Sequence, residues 1–112
     1  FLVLGFNSLG PQWLAVELEA PRHALLTKDG SLRSEVQHAI NQVQDWREWL
    51  TQNVAYAQNE LGLYGITNRV KGLVLIGRAE VSNDREPARS RVHEESNIEI
   101  HSWDWLLRYL TV

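Results

Sequence analysis

The sequence predicts an α/β fold, and three observations carry that expectation. Residues 70–77 (VKGLVLIG) form a continuously apolar run, the pattern of a central strand covered on both faces. From Ser34 onward apolar residues recur every three or four positions, as in an amphipathic helix, and "NIEIHSW" alternates like a half-buried strand. With 112 residues, 44% of them hydrophobic, the chain has enough material for one core and too little for two, so residues 1–112 are expected to form a single domain.

The elements follow in order. The short apolar run Phe1 to Phe6 precedes "NSLGPQ", whose Asn, Gly and Pro favour a turn, and then Trp13 to Ala20; together these predict a two-stranded hairpin ended by Pro21. "TKDGS" reads as a loop. The helix is expected to start at a capping Ser31 or Ser34, to bury Val36, Ala39, Ile40, Val43, Trp46 and Leu50, and to reach at least Gln52. Whether it breaks near Asn53 or continues is open, but Gly62 and Gly65 bound a loop. "SNDREPARSRVHEES" predicts a short polar helix with Asn83 or Asp84 as N-cap and Pro87 in the first turn. "SWDWLLRYL" closes the chain as an apolar helix capped by Ser102.

Composition removes several classes of function. Without cysteine there are no disulfides, thiol nucleophiles or zinc ribbons, and no run of eighteen apolar residues addresses a membrane, so a cytoplasmic protein is expected. A net charge of -3 argues against a wholesale electrostatic grip on nucleic acid, leaving local clusters. The chain begins at Phe1 and lacks methionine, so it is expected to be part of a longer product.

The candidate chemistry lies in "VELEAP". On a strand, Leu14, Val16 and Leu18 face one way while Trp13, Ala15, Glu17 and Glu19 face the other. Two carboxylates on one face repel unless a cation or proton lies between them, which suits a hard divalent metal. The more ordinary reading of the dipeptide pattern alone is the wet face of an edge strand. On the helix, Glu35, His38, Gln42 and Asp45 form a polar stripe beside the apolar one, without the third ligand that a zinc site needs. Arg78, Arg85 and Arg89 are candidate DNA contacts; Arg85 and Arg89, four apart, share a helical face, although ion pairs with Glu86, Glu94 and Glu95 would account for this charge mixture too.

"VELEAP" on a strand, then "SEVQHAINQVQDW" on a helix, "GLVLIGR" on a strand and "IEIHSWDWLL" at the end resemble, as an ordered set, the Shedu-type C-terminal nuclease module of an anti-phage defence protein, within the PD-(D/E)XK nuclease superfamily. The resemblance implies a restriction-endonuclease-like mixed sheet flanked by helices, with the N-terminal part of the core missing. It implies a metal-dependent DNA endonuclease using Mg²⁺ or Mn²⁺, held by Glu17 and Glu19, with Gln42 supporting the metal-site residues. Glu17 matches the superfamily's second acid. Glu19 stands where the superfamily usually has Lys, a variant found in some active restriction endonucleases, and the first acid would fall before Phe1. DNA as partner, a homo-oligomer and an upstream sensor domain are further expectations. Two alternatives remain: a catalytically degraded nuclease-like module used for interaction with protein or nucleic acid, and an α/β oligomerisation domain pairing through its tryptophan-bearing helices.

Overall fold

The computed structural model describes residues 2–24, 26–29, 31–78 and 86–110. The elements are β1 (Leu2–Asn7), β2 (Gly10–Leu18), α1 (Ser34–Asn59), β3 (Lys71–Leu75), α2 (Glu86–Ser96), β4 (Ile98–His101) and α3 (Trp103–Leu110), the order expected from the sequence. They build a four-stranded mixed sheet in the order β1-β2-β3-β4. A tight hairpin joins β1 antiparallel to β2, with Asn7 opposite Gly10. The pairs β2–β3 and β3–β4 are parallel, and parallel neighbours need a crossover, which α1 and α2 provide.

Alternation along the strands sends residues to two cores. Ala15, Val74, Ile76, Ile98 and Ile100 face α1 and α2, meeting Val36, Ala39, Val43, Leu50 and Val92. Val16, Leu73 and Leu75 face the other way, under Trp103, Trp105 and Leu106 of α3. A sheet covered on both sides explains why β3 is an uninterrupted apolar run. Gly72 lets α1 and β4 approach: a Cβ there would lie 2.8 Å from Ile98 Cγ1 and 3.0 Å from Val43 Cγ1.

Helix α1 departs from its expected form at both ends. Arg33, not a serine, is the N-cap residue, with no side-chain capping bond; Ser34 falls one position late, already inside the helix. At Asn53 the backbone leaves helical geometry (φ -130°, ψ 25°), yet the helix resumes. The Asn53 side-chain amide donates to the Trp49 carbonyl at 2.9 Å, the local competition with the backbone that asparagine offers. Both halves of the open question therefore hold: a kink, then continuation. By contrast, Ser102 caps α3 as expected, its Oγ accepting from the Trp105 N–H at 3.3 Å. The proposed caps of α2, Asn83 and Asp84, lie outside the described residues.

Arg47 fastens α1 to the far side of the sheet. Its guanidinium donates to the carbonyls of Val70 (2.9 Å), Ser96 (2.5 Å) and Asn97 (3.0 Å). Ser96 ends α2 and Asn97 follows it in the left-handed conformation (φ 54°), so a cation here meets carbonyls at the negative helix end, that of Asn97 also accepting from the Gly72 N–H at 3.2 Å. Burial lowers the Arg47 pKa, without threatening its charge. Among the described residues, no helix is long and apolar enough to cross a membrane.

Candidate functional site

In open α/β sheets, ligands bind outside the carboxyl ends of the parallel strands. Here that edge holds the ends of β2, β3 and β4, and Glu17, Glu19, Arg78 and His101 stand along it. Glu17 pairs in register with Val74 and follows Ala15 on the α1 face, where it is half-buried. Past the end of β2 the ladder continues by one bond, the Glu19 N–H donating to the Leu75 carbonyl at 2.8 Å. Strand alternation thus keeps both glutamates on one face, their Cα atoms about 7 Å apart. The Trp103 indole N–H donates to the Glu19 carbonyl at 2.8 Å, so α3 clamps this backbone from the opposite side.

β2 lies between β1 and β3 in the sheet, but among the described residues β1 pairs with it only up to Ala15, so at Glu17 the ladder runs to β3 alone and the wet face of a locally unpaired strand accounts for the two glutamates as well as a metal site does. Among the described residues neither carboxylate has a hydrogen-bond or ion-pair partner, which leaves their oxygens available.

The helical stripe divides into separate roles. Glu35 lies 3.6 Å from His23 and 3.5 Å from Arg33, joining the preceding loop to α1. Its carboxyl sits below the ordinary range, held there first by its own backbone N–H and then by His23, Ser34 and Arg33. His38 and Asp45 are exposed, whereas Gln42 is half-buried. At about 100° per residue, Gln42 stands roughly 140° around the helix from Arg47. No hydrogen bond joins Gln42 to either glutamate among the described residues.

The arginines are distributed differently. Arg78, just past β3, donates from Nε and Nη2 to Asp104 Oδ1 at 3.0 and 2.8 Å, tying α3 to the sheet edge. Asp104 was not singled out in the sequence, where "WDW" shows an acid between aromatics but not which strand it meets. Arg85 lies outside the described residues. Arg89 lines a cavity of about 200 Å³ between α2 and β4, together with Ser90, His93, Glu99 and His101. His101 stacks on Trp105 at 4.0 Å between ring centroids, with the rings 8° from parallel.

Among the described residues, no group of three or more His, Asp or Glu could hold a metal ion. Two hard oxygen donors nevertheless fit Mg²⁺, which is commonly held by one or two carboxylates and completes its shell with water and phosphate.

A mixed four-stranded sheet between helices, with a carboxylate pair at the carboxyl end of β2, defines an α/β domain of the restriction-endonuclease-like kind. The family described as the Shedu protein SduA, C-terminal, matches residues 2–107. The chain belongs to this family, that of a bacterial anti-phage defence protein. No curated protein matches it.

Proposed function

We propose that this domain is a metal-dependent DNA endonuclease, hydrolysing phosphodiester bonds with Mg²⁺ or Mn²⁺ held by Glu17 and Glu19. One observation supports the reading: Glu17 at the end of β2 and Glu19 just past it stand at the carboxyl end of the parallel sheet, their carboxylates without partners among the described residues. When bound, the ion would polarise the phosphate and lower the pKa of the attacking water. Glu17 and Glu19 fix its position, Trp103 steadies the Glu19 backbone, and Gln42 supports the pair from α1. DNA is the partner on this reading. The domain acts in the cytoplasm as a homo-oligomer, within a longer chain that bears an upstream sensor. A nuclease-like module kept for interaction is the second reading, favoured by Glu19 standing where the superfamily has Lys.

Calorimetric titration of Mn²⁺ and Mg²⁺ into the wild type and Glu17→Ala, paired with plasmid cleavage, separates the two. The nuclease reading expects metal binding and cutting in the wild type, both lost in the variant. Binding in neither protein would sink it; metal binding without cutting would support the interaction module.

A further inference from the structure

A second site lies at the opposite end of β2. There a cavity of about 180 Å³ is walled by Gln12, Trp13, Gly65, Thr67, Arg69 and Lys71, with no Asp or Glu in its lining. The cavity beside Arg89 contains Glu99, and the one beside Arg91 contains Glu95. Arg69, in the turn before β3, and Lys71, its first residue, flank buried Val70; both are exposed and both line this cavity. Neither has an ion-pair partner among the described residues. Two like charges two residues apart, in a chain of net charge -3, repel each other until an anion lies between them.

The wall is already built. The Trp13 indole N–H donates to the Tyr64 carbonyl at 2.7 Å, and the Gln58 amide to the Ile66 carbonyl at 2.7 Å, fixing the loop after α1 against the hairpin. Gly65, at φ +74°, brings this loop so close that a Cβ would lie 2.9 Å from Pro11 Cγ. Thr67 Oγ1 accepts from the Arg69 N–H at 3.2 Å, which leaves its hydroxyl proton to donate elsewhere. A loop held in this way spares part of the ordering cost of binding.

The geometry points to a binding site for a phosphate of the nucleic-acid backbone, in which Arg69 and Lys71 neutralise the charge and Thr67 and Gln12 donate hydrogen bonds. This rests on the nuclease reading for the identity of the phosphate. Lys71 is in register with Leu14, three rungs before Glu17 and Val74, and by alternation shares the α3 face with Leu73 and Leu75, whereas Glu17 follows Ala15 on the α1 face. The pocket therefore anchors the substrate away from the reacting phosphate.

The test is fluorescence anisotropy of a labelled short duplex with the 112-residue chain, in EDTA, across a salt series, for the wild type, Arg69→Ala/Lys71→Ala and the charge-keeping Arg69→Lys/Lys71→Arg. Losing the one neutralised phosphate should lower the salt slope by about 0.9. Between about 50 and 200 mM salt, the wild-type affinity should then fall roughly threefold to fourfold more than that of the alanine variant. The charge-keeping variant should retain most of the wild-type slope. A wild type that binds no duplex, or an alanine variant with unchanged affinity and slope, would overturn the proposal. So would saturation by inorganic phosphate, read by tryptophan fluorescence and lost in the alanine variant, if duplex affinity stayed the same; the pocket would then be a free-anion site. Because no metal is present, the outcome is independent of cleavage: duplex bound through this pocket and never cut leaves the inference standing and refutes the nuclease reading.

Discussion

Replacing Arg47 by Met keeps most of the aliphatic stem and removes the guanidinium that holds three carbonyls. The bonds to Val70 and Ser96 are part-buried, while the one to Asn97 is exposed and water can replace it. Counting the two part-buried bonds at about 1.5 kcal/mol each, the lower end for charged donors, gives a loss of about 3 kcal/mol. For a domain of this size that corresponds to a fall in Tm of roughly 12 °C. Urea unfolding followed by circular dichroism should show the midpoint falling with an unchanged slope, since the surface exposed on unfolding is the same. Arg47→Lys, with one point-like donor group, should recover about a third of the loss. The same clamp sets the rotation of α1, and with it the flank on which Gln42 lies, so metal affinity should weaken beside stability. A Met variant melting within about 3 °C of the wild type would refute the assignment, because water would then serve the carbonyls equally well.

Gly72→Ala should destabilise by about 2 kcal/mol through overpacking against Ile98 and Val43, and adding Val43→Ala should return part of it; additive losses in the double variant would show that the clash lies elsewhere. Trp103→Phe removes the donor to the Glu19 carbonyl and should cost about 1 kcal/mol from that bond, with faster amide exchange at the end of β2; unchanged exchange there would deny the clamp. The Asp29 carboxyl is held below its ordinary range, first by the Thr27 hydroxyl and then by the Ser31 N–H. Since its folded value lies below the unfolded one, its contribution to the 26–32 turn is complete above the ordinary Asp value and disappears as pH falls through the folded value. NMR titration should place the Asp29 midpoint below that of a model peptide; an equal or higher midpoint would contradict the turn geometry.

Local rules made much of this molecule legible. The spacing of Val36, Ala39, Ile40, Val43, Trp46 and Leu50 is a property of one helix face, and all are buried except Trp46, whose large ring at the edge of the stripe stays half-exposed. Ser102 and the apolar run of β3 were equally readable, because a cap and a doubly covered strand leave marks in neighbouring residues. Arg47 shows where such reading stops. It lies four residues after Val43 on the apolar stripe, a position that sequence reasoning passed over, and a cation on that stripe is itself a sign of carbonyls in need of a donor. Those carbonyls belong to residues 23 to 50 positions away.

The same division applies to the candidate site. The sequence by itself determined that Glu17 and Glu19 share a strand face, because side-chain alternation has a period of two residues and depends on nothing distant. Only the tertiary structure decided that β2 lies between β1 and β3, that Trp103 holds the Glu19 backbone, that Asp104 takes Arg78, and that Arg69 and Lys71 meet Gln12 across a cavity. Each of these depends on which segments become neighbours. That follows from how the crossovers through α1 and α2 stack the parallel strands, and local propensity cannot encode contacts made by loop closure over tens of residues.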